Sequence, residues 1–224
     1  MANVTMDLVK ELRQRTGAGI MDCKTALAEC EADVENAVDW IRKKGLAKAA
    51  KKAGAIAAEG MIHAYIHPGS RLGVLVEVNC QTDFVARADE FKGYADAVGL
   101  QIASMSAQFV RRSDVPELEI DKQKEIFRAQ MAEEVAQGAK EKPAAVVEKI
   151  VDGKVDKWLA EVCLEEQISV VDGEKTIGQM AEELTSKLGE KIAVRRFVRY
   201  ELGEGIEKKR SNLADDVAEA LAGG

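Results

Sequence analysis

The chain has 224 residues, of which 46% are hydrophobic, 32% are charged and 4% are aromatic, a composition typical of a helix-rich globular protein with a large core. Its formal net charge of −7 disfavours a general nucleic-acid binder, which needs a basic surface to displace counterions from phosphates. No apolar run approaches the roughly 18 residues that span a bilayer, and the N-terminal residues do not resemble a secretory signal. We therefore expect neither a membrane nor a nucleic acid as a direct partner.

Residues 1–45 are predicted to form a compact unit of three helices. The first helix ends at Gly17, and the second and third carry apolar residues at the i, i+3, i+4, i+7 spacing of a buried stripe. Asp33 is suited to cap the third helix, and Gly45 is expected to end it. The alanine- and lysine-rich residues 46–58 are then expected to form an exposed, partly helical linker.

From Met61 the apolar period changes to two, which is typical of strands. A turn at residues 68–70 makes the first two strands a hairpin, and a third strand follows near the end of the core. The residues predicted to face inward are Ile62, Ala64 and Ile66 in the first strand, Leu72, Val74, Val76 and Val78 in the second, and Ile192, Val194, Val198, Tyr200 and Leu202 in the third.

Helical periodicity fills most of the chain between the second and third strands. The predicted fold class is therefore α+β, with the three-helix module followed by a core at residues 59–205. In that core, helices cover a small antiparallel sheet. Residues 206–224 are predicted to add a short charged helix and a flexible tail.

The sequence offers no convergent set of catalytic or metal-binding residues. His63 and His67 are four residues apart on a predicted strand, hence roughly 13 Å apart along it, too far to share a metal ion directly. Residues 17–19 could cradle a phosphate before a helix, but a helix rather than a strand precedes them, which favours a plain turn. No nucleophile elbow, zinc-protease motif or P-loop is present. We expect no enzymatic activity, no cofactor and no metal site.

The four cysteines also lack the spacing of a metal site. None forms a Cys-x-x-Cys pair, and no histidine lies near enough to complete a zinc signature. Cys23 and Cys30 are seven residues apart on a predicted apolar helical face, which favours reduced core side chains. These features indicate the cytoplasm or an equivalent reducing compartment.

Residues 77–87 are unusual because a predicted buried strand ends in a polar cluster that is followed by an acidic residue and a phenylalanine. In one interpretation, Thr82 or Asp83 caps the next helix and Phe84 packs into the core as a hydrophobic staple. In the other, Asp83 and Phe84 are exposed on a rigid corner that binds a protein. The residues alone favour the first interpretation.

Two blocks of this sequence resemble the signatures of the translation elongation factor Ts family. The first is LRQRTGAGIMDCKTAL at residues 12–27, and the second is residues 77–87, built around Thr-Asp-Phe-Val at residues 82–85. The two blocks have the family's order and separation, and the resemblance covers nearly the whole chain, through VRRFVRYELGEG at residues 194–205. The length and this last block are most similar to the short form of cyanobacteria and plastids.

The resemblance implies a guanine-nucleotide exchange factor that binds elongation factor Tu, both GDP-bound and nucleotide-free, during translation elongation. It implies an N-terminal module similar to ubiquitin-associated domains. It also implies that GDP leaves because the magnesium site of elongation factor Tu is disturbed. The location implied is the cytoplasm, or the plastid stroma if a transit peptide has been removed.

The resemblance also implies which residues bind elongation factor Tu. The positions that match the block acting on its magnesium site are Thr82, Asp83, Phe84 and Val85, and those that match contacts of the N-terminal module are Arg13, Ile20 and Met21. A helical adaptor that binds ubiquitin-like or nascent-chain partners is the alternative, but it leaves the Thr-Asp-Phe-Val block without a role. A small enzyme with an unrecognised site is a third interpretation.

Overall fold

The computed structural model describes residues 4–206, which form an N-terminal helical module and an α+β core, as predicted. The helices of the module are α1 (Met6–Thr16), α2 (Ile20–Glu29) and α3 (Val34–Lys52). The side chains of Thr5 and Asp33 cap α1 and α3 by accepting backbone N–H bonds. The module has its own small core, formed by the buried residues Val9, Leu12, Cys23, Ala26, Leu27 and Ala37. Residues 207–224, which hold most of the predicted C-terminal helix, lie outside the described residues.

The core is built on a three-stranded antiparallel sheet of order β1-β2-β3. Its strands are β1 (Glu59–Ile66), β2 (Leu72–Cys80) and β3 (Ala193–Glu201), and its helices are α4 (Asp83–Ala86), α5 (Asp89–Met105), α6 (Glu117–Ala136), α7 (Ala144–Val162) and α8 (Ile177–Leu188). Helix α5 lies across β1 and β2, and α8 packs between α5 and the module helix α3. Helices α6 and α7 pair around a separate apolar cluster. None of the described helices is long and apolar enough to cross a membrane.

Helix α3 does not end at Gly45, so that prediction is wrong. The helix continues to Lys52, and the first part of the predicted linker is therefore helical. Gly45 is buried where α3 crosses α8, and a Cβ atom at this position would lie 2.8 Å from Oγ of Ser186. Glycine is needed here for the close approach of two helices and not for a helix end.

The predicted inner face of β1 is also wrong, because Ile62 and Ile66 are each 62% exposed and the alternate residues face α5. The packing partner explains the choice of face. Helix α5 approaches β1 so closely that a Cβ on Gly99 would lie 2.8 Å from Cβ of Tyr65. On the same side, Nε2 of His63 lies 3.1 Å from a carboxylate oxygen of Asp96. The predicted inner residues of β2, by contrast, are buried or half-buried in the main core.

A β-bulge changes the inner face of β3. Val78 pairs with Val194, but the preceding residue of β2, Glu77, pairs with Arg196, so β3 contains one extra residue at this point. Val194 is buried as predicted, whereas Phe197 packs on the core beyond the bulge. The prediction that Val198, Tyr200 and Leu202 face inward is therefore wrong, since a shift of one residue moves every later side chain to the opposite face.

Candidate functional site

The corner, residues 82–85, consists of the N-cap and the first three residues of the single-turn helix α4, just after β2, and presents one large apolar side chain to solvent. The side chain of Phe84 is 80% exposed, whereas that of Val85 is half-buried against the main core. The interpretation of Phe84 as a core staple is therefore wrong. Because Val85 packs against the core, the neighbouring Phe84 ring is directed outward.

Glu190 fixes the backbone of the corner from a distant part of the chain. Its Oε2 accepts hydrogen bonds from the backbone N–H groups of Gln81 at 3.0 Å and Thr82 at 2.9 Å, and its Oε1 accepts one from the Thr82 hydroxyl at 2.7 Å. Thr82 occupies the N-cap position of α4, but its side chain makes no capping bond, because its hydroxyl is directed to Glu190. From the other side, Sγ of Cys80 donates to the carbonyl of Thr82 at 3.1 Å.

Asp83 is the first residue of α4, and its carboxylate pairs with the guanidinium of Arg87 at 2.8 Å, one turn later. The side chains of Asp83 and Arg87 are 49% and 76% exposed. An exposed pair of this kind is worth at most about 1 kcal/mol. The carboxylate of Asp83 can therefore change partners at small cost when another protein approaches the corner.

The N-terminal module presents a second apolar site. Ile20 and Met21 begin α2, and their side chains are 44% and 71% exposed. Arg13 lies on the exposed surface of α1. Methionine adapts its shape to varied partners, so an exposed Ile-Met pair is well suited to protein binding. In the described part of the chain, no hydrogen bond or ion pair joins these three side chains to the corner.

A cleft of about 670 Å³ lies between the module and α8, and several of its charged side chains are paired with one another. Asp22 pairs with both Lys44 and Lys48, and Lys175 pairs with Glu183. The hydrogen bonds from Lys48 and then Lys44 lower the pKa of the Asp22 carboxyl. Gly17 ends α1 in the left-handed conformation, so residues 17–19 form a plain turn at the edge of this cleft. These ion pairs line the boundary between the two parts of the molecule.

Sequence reasoning missed Glu190, and no local signal marks it. It follows Gly189, which ends α8 in the left-handed conformation, and such a position is usually a solvated loop. Its contacts with the corner span 108 and 109 residues of sequence. In residues 4–206 no group of three or more His, Cys, Asp and Glu side chains is placed to hold a metal ion.

Two exposed apolar sites on a rigid scaffold, one on a helical module and one on a braced corner, define a class of protein that acts by binding another protein. Residues 5–204 match the family model described as Elongation factor TS. The chain belongs to the elongation factor Ts family.

Curated relatives agree with this assignment over almost the full length. The chain is 53% identical to an Elongation factor Ts of Desulforamulus reducens over 218 residues, which are 97% of this chain and 98% of the relative. It is 52% identical to that of Carboxydothermus hydrogenoformans, with the same coverage, and 52% identical to that of Myxococcus xanthus, with 99% of each chain covered. The nearly complete coverage in both directions confirms the short form. Membership of the family implies guanine-nucleotide exchange on elongation factor Tu in translation elongation.

Proposed function

We propose that this protein accelerates GDP release from elongation factor Tu by disturbing the magnesium site, and that the corner is the part that acts there. The observation that carries the proposal is the 80% exposure of Phe84 on a backbone held by Glu190 and Cys80. A large apolar side chain kept in water by a rigid backbone is ready to enter a partner without reorganisation.

The physical basis is the charge of the ion. Magnesium bridges the phosphates of a bound nucleotide to the protein, so its displacement removes a large positive charge from beside those phosphates. Phe84 would act as a wedge in a neighbouring loop of the partner, while Asp83 would compete for hydrogen bonds or charge near the metal. Thr82 and Val85 set the direction of both side chains.

One phenylalanine is not sufficient for the whole effect. Burying a Phe side chain contributes about 1.5–3 kcal/mol, which is roughly one to two powers of ten in an equilibrium constant. Further binding energy must come from other contacts, and the exposed Arg13, Ile20 and Met21 of the module are suited to supply it. The module would anchor the complex, and the corner would direct that binding energy to the nucleotide site.

Exchange also determines which forms of the partner are bound. If the factor weakens GDP binding by some ratio, GDP must weaken binding of the factor by the same ratio. The factor therefore binds both the GDP-bound and the nucleotide-free form, and binds the latter more tightly. The net charge of −7 favours a purely protein partner without direct nucleic-acid contact. All four cysteines are free, which supports a cytoplasmic location.

The test measures release of a fluorescent GDP from elongation factor Tu by stopped flow, with wild type and Phe84→Ala. We expect the variant to lose about 10- to 100-fold of the acceleration. Leu118→Ala is the matched control, because Leu118 is 65% exposed on α6 and its loss removes a similar apolar surface elsewhere. If Phe84→Ala accelerates GDP release as much as wild type does, Phe84 does not act as a wedge.

A second arm addresses the metal. Release is measured again with a chelator that removes magnesium before the factor is added. If the corner acts through the magnesium site, the deficit of Phe84→Ala should shrink strongly, since the charge that the wedge displaces is already absent. A deficit of the same size with and without magnesium would show that Phe84 contributes only binding. Binding without any acceleration by wild type would favour the adaptor alternative.

A further inference from the structure

We infer that Glu190 is a positioning residue for nucleotide exchange, acting through the corner on Phe84. The inference rests on the proposed function of Phe84 and extends it to a residue that no signature block contains. Glu190 lies in the loop between α8 and β3, directly after Gly189, which ends α8. It makes all three of its hydrogen bonds to the two residues that immediately precede Asp83 and Phe84.

The geometry is specific for a carboxylate or an amide at the end of a side chain of this length. Two neighbouring backbone N–H groups converge on one oxygen, Oε2, and the Thr82 hydroxyl binds the other, Oε1. Two adjacent N–H groups that point the same way cannot both be satisfied by a strand or by α4. Without an acceptor at this place, the half-buried backbone at Gln81 and Thr82 must turn to find water.

Glu190 is itself held in place by its neighbours in the chain. The next residue, Lys191, donates its backbone N–H to Oε1 of Gln81 at 3.1 Å, and its Nζ donates to the carbonyl of Ala53, just beyond α3, at 2.6 Å. Ile192 N–H is bound by the hydroxyl of Thr185 in α8. Residues 190 to 192 are therefore tied to Gln81 and Thr82, to Ala53 and to α8, which leaves the loop little freedom to move.

Helix α8, which precedes the Glu190 loop, also packs against the N-terminal module. Helix α8 packs on α3 where Gly45 meets Ser186, and it ends at the loop that contains Glu190. The module that anchors the partner and the corner that acts on the nucleotide site are thus both mounted on α8. Glu190 is the link through which α8 sets the direction of Phe84. When the module binds the partner, Phe84 is therefore held in a fixed position relative to the partner's nucleotide site.

The test is a double-mutant cycle that combines Glu190→Ala with Phe84→Ala, read out as the rate of GDP release from elongation factor Tu. With Phe84 present, Glu190→Ala is expected to reduce the acceleration at least about fivefold, the effect of one net hydrogen bond. In the Phe84→Ala background the same change is expected to cost less than about twofold, since no wedge remains to be positioned. A purely structural role would lower both rates equally.

Two further variants separate positioning from charge and from general damage. Glu190→Gln retains an oxygen that accepts from the two N–H groups, and its amide N–H can donate to the Thr82 hydroxyl, which then accepts instead of donating. This variant is therefore expected to restore most of the rate. Glu182→Ala removes an exposed glutamate from α8, the helix that precedes the Glu190 loop, and is expected to leave the rate unchanged. If Glu190→Ala does not fold, Glu190→Asp replaces it, because a side chain shorter by one methylene withdraws the carboxylate from the corner while keeping its charge.

A measurement on the factor alone keeps this inference distinguishable from the proposed function. Hydrogen exchange of the Gln81 and Thr82 amides is expected to be slow in wild type and in Glu190→Gln, and at least about fivefold faster in Glu190→Ala or Glu190→Asp. Unchanged exchange of both amides would overturn the inference, as would full GDP release by Glu190→Ala or an equal loss in both backgrounds. If Phe84→Ala is as active as wild type, the proposed role of Phe84 is wrong. The role of Glu190 in exchange is then wrong as well, even if hydrogen exchange of the Gln81 and Thr82 amides becomes faster in Glu190→Ala.

Discussion

Gly45 of α3 lies directly against Ser186 of α8, with no space for a methyl group between them. A Cβ atom on Gly45 would stand 2.8 Å from Oγ and 3.3 Å from Cβ of Ser186. The hydroxyl can rotate away, but the Cβ of Ser186 is attached directly to the backbone of α8, so it moves only if the helix moves. This contact sets the distance between the N-terminal module and the core.

Gly45→Ala should therefore destabilise the protein, although alanine is the better helix former. Gly93→Ala is the matched control, because Gly93 lies in α5 and an added Cβ there would meet nothing within 4 Å. The control should gain up to about 1 kcal/mol of stability from helix propensity. We expect Gly45→Ala to be about 1–3 kcal/mol less stable than the control, from the overpacking, as measured by urea denaturation. Equal stabilisation of both variants would contradict this contact.

Gln101 is a fully buried polar side chain that holds the segment after α7. Its Nε2 donates to Oε1 of Gln167 and to the carbonyl of Ile168, each at 3.1 Å, and its Oε1 accepts from the N–H of Val170 at 2.8 Å. Gln101→Leu leaves the buried amide of Gln167 and the part-buried backbone groups of Ile168 and Val170 without these bonds, and it should cost about 2–4 kcal/mol in the free energy of unfolding. The same change at the exposed Gln130 of α6 should cost less than about 0.5 kcal/mol. A cost as small at Gln101 would argue against the network.

Glu77 should make stability depend on pH in the acid range. Hydrogen bonds from Arg195 and then Arg196 lower the pKa of its carboxyl from 4.5 to about 2. A carboxyl whose pKa is lower in the folded state stabilises the protein above the unfolded pKa, and this contribution is lost as pH falls from about 4.5 towards 2. The urea midpoints of wild type and Glu77→Gln should therefore differ at pH 7 and converge near pH 2. A difference that stays constant over this range would exclude the ion pairs as its source.

The four free cysteines should differ sharply in reactivity. Cys23, Cys80 and Cys163 are fully buried, and Cys30 is half-buried at the end of α2. Burial raises the pKa of Cys163 to about 11, which suppresses its reactive thiolate. In the native protein a thiol-specific reagent should react first with Cys30, and Cys30→Ser should abolish this early phase. In urea all the remaining thiols should react. A second rapid thiol in native Cys30→Ser would show that one of the other sites opens.

The local features of this fold follow from the sequence because they depend on neighbours three or four residues away. The buried stripe of α2, with Cys23, Ala26 and Leu27, was predicted from spacing alone. Asp33 was predicted as a cap because its carboxylate reaches a backbone N–H within the next turn. The resemblance to the family was carried by two short blocks, because a motif is a property of a short segment of sequence.

The faces of β1 and β3 and the end of α3 were mispredicted because a partner distant in sequence decides them. Alternation specifies two faces of a strand but not which one meets a helix, and for β1 the choice depends on Gly99 in α5. One extra residue at the bulge opposite Glu77 then moves the later side chains of β3 to the opposite face of the sheet. An isolated glycine in a helical pattern, such as Gly45, is compatible with a helix end and with a close contact between two helices. Only the position of Ser186 in the structure distinguishes the two.

The corner shows the same division within four residues. By itself, the sequence determined the family, the α+β class and the position of the Thr-Asp-Phe-Val block, because periodicity and motifs are properties of short segments. Tertiary structure alone decided that Phe84 faces solvent while Val85 faces the core, and that Glu190 holds the turn from a position 108 residues beyond Thr82. The physical reason is that the direction of an exposed side chain is set by hydrogen bonds to the backbone beneath it, and here the acceptor lies in another part of the chain.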